Sequence, residues 1–255
     1  MGMRWIVLIV LGAMLAGCSG KRSLTADAPA RGLELGVMLP AEGMLSAELF
    51  YSDDPIVARY QRFQGGSSRA ATRRSEMRVT PTEEGWRLAW WHMPRRSTGK
   101  AEFEHALTLQ RGGDGSVLAT SGFGREGKHT IVFDPPVRVS PALMRAGERI
   151  NNDFAARYVT ANGNQEGTGD STHWTEYAGR QTISTPMGTF DADVVLSSWE
   201  LDTGVGTIKR EVRTWIATVR PGRTTIVAQD IYTESDFMWW TATSRLRLAI
   251  EAIVR

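Results

Sequence analysis

The sequence predicts a mainly β protein, a curved antiparallel sheet of half-barrel or barrel-like form with few short helices. Three observations predict it. First, apolar residues recur with a period of two. Phe103, His105, Leu107 and Leu109 alternate with Glu104, Ala106, Thr108 and Gln110; Phe190, Ala192, Val194 and Leu196 are interleaved with Asp191 and Asp193. Such alternation gives a strand one face for a core and one for water. Second, turn-forming residues punctuate these runs at Glu84-Gly85, Gly112-Gly113-Asp114-Gly115, Asn162-Gly163-Asn164, Met187-Gly188 and Pro221-Gly222. Third, stretches of helical period are scarce. Many short strands with regular turns point to an antiparallel sheet, closed or nearly so.

Taken in order, residues 1–17 read as a secretory signal. Arg4 is followed by an apolar run from Trp5 to Leu15, then by the small residues Ala16 and Gly17. That run is too short to cross a bilayer, which takes roughly 20 helical residues. Residues 18–32 are small and polar and are expected to form a tether. Residues 33–255 are expected to form one β-rich domain, with a subdivision near 135–142 as the alternative, because Pro135, Pro136 and Pro141 cluster there. Within it, Met77 and Val79 alternate with Glu76, Arg78 and Thr80, and His129, Ile131 and Phe133 with Thr130, Val132 and Asp134. Ile208, Val212 and Ile216 share a face that Arg210 and Thr214 interrupt. Pro141–Ala146 is the best short helix candidate, with proline at an early position. In the tail from Trp239 to Arg255, Leu246, Leu248 and Ile250 alternate as a strand does; Leu246, Ile250 and Ile253 also fit a helical stripe. A strand that turns helical at its end is expected.

Leu15-Ala16-Gly17-Cys18 resembles the lipobox of bacterial lipoproteins. The resemblance implies cleavage before Cys18, a lipid on its thiol, and a chain anchored in the bacterial envelope. Ser19 at the second mature position implies the outer membrane, facing the periplasm. Cys18 is the sole cysteine, so no disulfide supports the fold, and lipidation removes an unpaired thiol from an oxidising space. In the C-terminal half, Ala146-Gly147-Glu148, the stretch Gly179 to Ala192 with Thr185-Pro186-Met187-Gly188-Thr189-Phe190, and Arg213-Thr214-Trp215 resemble domain-of-unknown-function family 3108 and its relatives, β-rich envelope proteins. The resemblance implies fold class and compartment and brings no catalytic residue. The same motif has a physical reading: Pro186 presets a turn, Gly188 permits positive φ, and Phe190 re-enters the core.

The search for chemistry is mostly negative. Net charge is +2, which gives no support to nucleic-acid binding. Gly122-Phe123-Gly124-Arg125-Glu126-Gly127 spells G-x-G-x-x-G, but a strand is expected after it and the motif requires a helix. His92, His105, His129 and His173 lack metal-ligand spacing, and no metal is expected. His105 and His129 fall on apolar alternations and read as hydrogen-bonded, partly buried side chains. The serines of Gly65-Gly66-Ser67-Ser68-Arg69 lack a nucleophile elbow. Asp191 and Asp193 read as a solvated strand face; Lys209, Arg210, Glu211 and Arg213 read as cross-strand charge pairing. No catalytic residue and no cofactor is expected.

The tryptophans are the distinctive feature. Trp86, Leu88 and Trp90 share one strand face, with Trp91 and Met93 on the other, as in a strand covered on both sides or a sheet curved around a cavity. Ring packing in a core accounts for such residues, and an aromatic-lined groove also does. Trp86, Trp90, Trp199 and Trp215 are the candidate binding residues. The expected protein is a non-enzymatic envelope lipoprotein that binds an apolar ligand or lipid in a sheet-lined cleft. The alternatives are a structural or assembly lipoprotein docking onto another envelope protein, and a hydrolase of envelope glycan or lipid.

Overall fold

The computed structural model describes residues 33–47, 54–64, 73–94, 100–124, 129–202, 206–237 and 240–254. The signal segment, Cys18, the tether, Gly65–Arg69, Arg125–Gly127 and Trp239 lie outside the described residues. The strands are β1 Glu34–Pro40, β2 Met44–Ser46, β3 Ile56–Gln64, β4 Arg73–Pro81, β5 Gly85–Met93, β6 Glu102–Arg111, β7 Val117–Phe123, β8 His129–Ser140, β9 Leu143–Arg145, β10 Arg149–Thr160, β11 Gln165–Thr185, β12 Gly188–Asp202, β13 Gly206–Arg220, β14 Arg223–Phe237 and β15 Trp240–Ile253.

Twelve of these form an antiparallel up-and-down barrel. Each of β3 to β7 pairs with the next, β8 pairs with β10, and the meander runs on from β10 to β15. It closes where β15 pairs with β3, from Leu246↔Gln64 to Ile253↔Ala58. Closure leaves these strands no free edge. β1 is the extra strand. It lies along the second half of β11, from Glu34↔Ser184 to Pro40↔Gly179, where the pairing with β10 has ended. All five expected turns lie at hairpin or strand connections. Residues on both sides of Pro135 belong to the same strand, β8, and hence to one sheet.

Two expectations are corrected. Pro141–Ala146 is not a helix: Leu143–Arg145 pairs with Met44–Ser46, and Met144 is buried. Six residues offer a helix too few internal hydrogen bonds to offset its nucleation cost, whereas the strand buries a methionine. The tail does not turn helical, because β15 stays paired with β3 to Ile253. No α-helix occurs among the described residues.

The core fills the barrel. Ile56, Ala58, Tyr60, Met77, Val79, Trp86, Leu109 and Val137 on one side meet Ile183, Val194, Trp215 and Ile250 on the other. Tyr60 ties the two halves together, since its hydroxyl donates to the carbonyl of Ile226 at 2.7 Å. The Pro186–Met187 hairpin closes this end of the barrel: Thr185 pairs with Gly188, Gly188 has φ +151°, Phe190 packs on the core, and the Met187 amide donates to Ile250 on β15. A second cluster lies where β2 and β9 cover the wall, with Leu45 and Met144 against Tyr177, Val195 and Ile216. Val194 and Val195 are both buried, in different clusters, so β12 is covered on both faces there.

Candidate ligand site in the barrel lumen

The lumen is not uniform along its axis. The end bearing the β4–β5, β6–β7, β11–β12 and β13–β14 turns is packed with the apolar side chains named above. Toward the opposite end, where β3 joins β4, β5 joins β6 and β12 joins β13, the inward side chains become polar and charged.

Arg62 organises one wall. It stands in register with Ile56, Ala58 and Tyr60 on the inner face of β3. Its guanidinium reaches over three neighbouring strands: Nη1 lies 3.4 Å from Ser75 Oγ on β4, 3.0 Å from His92 Nδ1 on β5, and 3.2 and 2.9 Å from the two carboxylate oxygens of Glu104 on β6. Because arginine only donates, His92 Nδ1 accepts, which places the ring proton on Nε2, 3.4 Å from Glu104 Oε1. Burial pushes the Glu104 carboxyl up, but the charge and hydrogen bond of Arg62 outweigh it, so its pKa lies below the usual value.

A β-bulge explains how Glu104 reaches this position. Trp90 pairs with His105 and the next residue, Trp91, pairs with Phe103, so Glu104 is an extra residue. Simple alternation would place Phe103 on the face of His105. The bulge instead turns Phe103 to the outer face, edge-on to Trp91 at 5.3 Å, and frees Glu104 to meet Arg62. Bulges re-aim side chains in this way.

Arg210 comes from the opposite wall. β13 lies six strands from β6 in either direction round the barrel. Even so, Arg210 acts electrostatically on His105, and Glu104 and Arg62 act on Arg210. These side chains therefore lie within electrostatic reach of one another across the lumen, though no hydrogen bond or ion pair links Arg210 to them among the described residues. Burial lowers the Arg210 pKa, and its Nε is buried with no partner among the described residues. Lys209 and Glu211, its chain neighbours, pair with each other at 3.4 Å on the other face.

The predicted binding residues divide between the two ends. Trp86 and Trp215 are buried in the packed end; Trp215 Nε1 donates to Gln181 Oε1 at 2.8 Å, and the Arg111 guanidinium lies 5.1 Å from the Trp86 ring. Trp90 and Trp199 border the charged end. Trp90 contacts Tyr60 at 5.3 Å and stacks near His105 at 6.3 Å. Trp199 is half-buried, pairs across with Arg210, and packs on Phe133 at 5.6 Å and His173 at 4.3 Å. The structure thus brings Trp90 and Trp199 to the lumenal charges and leaves Trp86 and Trp215 in the packed core.

His105 and His173 are held neutral. Burial pushes His105 down to about 3, with the charges of Arg210 and Arg62 adding to it. Burial alone pushes His173 down to about 3; its Nδ1 faces Asn152 Nδ2 at 3.1 Å. Three hydroxyls on the same face, Ser171, Thr175 and Ser235, are buried without partners among the described residues. No group of three or more His, Cys, Asp or Glu among the described residues could hold a metal.

Sequence reasoning missed Arg62, Glu104 and Arg210. The signal for Arg210 was present: a lone arginine interrupts the apolar face of Ile208 and Val212. No family model, no curated protein and no solved structure matches the chain.

Proposed function

We propose that this chain is a non-enzymatic lipoprotein of the bacterial envelope, held by a lipid on Cys18, that takes an amphipathic ligand into the charged end of its barrel. The observation that carries the reading is the buried, unpartnered Nε of Arg210 on the ladder position paired with Trp199, within electrostatic reach of the Arg62–Glu104 pair on the opposite wall. Aromatic walls with a few fixed polar groups are the composition of small-molecule sites. The outer wall supports a barrel whose ligand lies inside. Glu76 there is bracketed by Arg59 at 3.1 Å and Arg78 at 2.7 Å, and Asp230 by Arg245 and Arg247. A barrel that crosses a bilayer presents an apolar band outward instead.

Two measurements test the reading. Labelled fatty acid should be incorporated into the chain and lost in Cys18→Ala. Protein purified from its membrane should carry an extractable amphiphile, identified by mass spectrometry. A chain that yields none, and binds no added fatty acid, refutes the ligand reading.

β1 favours a second reading, docking onto another envelope protein. Among the described residues it pairs only with β11, and Leu35, Val37 and Leu39 are exposed along it, Val37 to 81%. A free apolar strand edge is a template for pairing. Val37→Lys should then abolish a cross-link formed at β1 in intact cells; persistence of that cross-link refutes it.

A further inference from the structure

We propose that Arg210, with Arg62 on the same lumenal face, holds an anionic headgroup, a carboxylate or a phosphate, of the amphiphile taken into the lumen. The inference rests on the lumen being a ligand site, as read above.

Arg62 and Arg210 bring two positive charges to this part of the lumen, and Glu104 brings one negative charge. The neighbouring His105 is neutral. Glu104 is already committed, since both of its oxygens lie within 3.2 Å of Arg62 Nη1. Among the described residues, the charge of Arg210 is left without a counter-charge at hydrogen-bond distance. Burying an unpaired ion is among the most costly things a fold can do, and chains that do so usually supply a partner.

The donor chemistry agrees with the charge. The Nε atoms of both Arg62 and Arg210 are buried with no partner among the described residues. Guanidinium N–H groups are suited to paired hydrogen bonds with a carboxylate or phosphate. The hydroxyl of Ser235, also buried and unpartnered, stands two residues along β14 from Thr233, the cross-strand partner of Arg210. Buried polar groups are nearly always satisfied, so a cluster of unsatisfied donors on one face calls for an acceptor. An oxyanion supplies acceptors and the missing negative charge together. The Trp199 ring, paired across from Arg210, offers the apolar contact that a headgroup's chain requires.

The test is native mass spectrometry of the full chain released from neutral-detergent micelles, with oleate, methyl oleate, 1-oleoyl lysophosphatidate and inorganic phosphate as probes. The two anionic lipids should bind at least about tenfold more tightly than methyl oleate, a gap of about one charged hydrogen-bonded contact. Arg210→Met should bring them down to the level at which the same variant binds methyl oleate, and Arg210→Lys should retain part of the preference. Tighter binding of lysophosphatidate, with competition by inorganic phosphate, assigns a phosphate headgroup; tighter binding of oleate assigns a carboxylate. Equal binding of oleate and methyl oleate, or a preference that survives Arg210→Met, overturns the headgroup assignment and leaves the lumen reading standing. Binding of no lipid probe overturns both. The free Arg210→Met chain should melt no lower than the natural one, because it loses an uncompensated buried charge. A lower melting point identifies Arg210 as a structural residue and overturns the proposal.

Discussion

Acid should destabilise this barrel well above the pH at which carboxylates protonate, and His173 should account for much of the effect. The ring is 2% exposed, and burial holds its pKa at about 3 against an ordinary value of 6.5. A lowered pKa means that the unfolded chain binds a proton which the folded chain refuses. The stability that comes from keeping the ring neutral is therefore complete above pH 6.5 and is lost progressively as pH falls toward 3. Between pH 7 and pH 5 the folded ring stays neutral while the unfolded ring gains its proton, a loss of about 2 kcal/mol for one such group. His105, also pushed down to about 3, acts in the same direction, with a smaller contribution because the residue is only partly buried. Carboxylates contribute little in this window, since their unfolded values lie near 4. The assay is urea unfolding of the full chain at pH 7 and pH 5, followed by tryptophan fluorescence, for the natural sequence and His173→Gln. Glutamine keeps an acceptor for Asn152 and cannot titrate. The variant should lose about 2 kcal/mol less between the two pH values, or ~0.7 M less in midpoint if the m-value is ~3 kcal/mol/M. Identical pH dependence in the two chains would refute the reasoning, because it would mean that water or a counter-charge reaches the imidazole inside the barrel.

Three further outcomes are expected. Asp230→Asn removes the carboxylate between Arg245 and Arg247, whose side chains are only 19% and 15% exposed, and should cost about 3 kcal/mol in denaturant titration; a loss below ~1 kcal/mol would show the triad to be solvated. Gly179→Ala would place a Cβ 2.1 Å from the carbonyl oxygen of Leu39, so β1 should detach: hydrogen exchange should accelerate over Glu34–Pro40 while β12 and β13 stay protected. Trp215→Phe leaves Gln181 Oε1 without its donor, while Gln181 Nε2 still donates to Gly36 on β1; a loss of ~1–3 kcal/mol beyond the change in ring burial should follow, and a neutral result would show that Gln181 finds another partner.

Period-two alternation and turn residues were enough to read the fold class, because both arise from local backbone geometry and every hairpin connects neighbouring strands. The Pro186–Met187 turn, with Phe190 returning to the core, was legible for the same reason. What the sequence hid is what depends on distant strands. Closure is made by β15 meeting β3, and nothing near Leu246 or Gln64 announces that partner. Alternation also fails wherever a bulge inserts a residue. Phe103 and His105 look like face-mates two apart, but the extra residue between them sends one ring outward and Glu104 inward. The arginine-rich composition likewise gains meaning only in three dimensions. On the outer wall Arg78 lies 4.7 Å from the Trp91 ring and Arg149 lies 4.0 Å from the Trp174 ring, so planar cations cover aromatic surface that would otherwise face water.

The contrast between the two ends of the lumen is the strongest reason to look for a ligand. At the turn end, a barrel of this size is filled in the ordinary way, with Trp215, Ile183 and Val194 fully buried and its polar links, Trp215 to Gln181 and Tyr60 to the Ile226 carbonyl, satisfied. At the other end, apolar residues at Arg62, Glu104 and Arg210 would serve stability better, because replacing buried ions by well-packed apolar side chains is often neutral or stabilising. Specificity of folding is not an adequate reason to keep them. Register is already set by hairpins all round the wall, and among the described residues Arg210 makes no hydrogen bond or ion pair that would select one register over another. A bulge is spent on turning Glu104 inward, yet that carboxylate balances only one of the two arginines. An arrangement that costs stability and stops one charge short of neutrality is what a site looks like when the missing charge arrives with its ligand.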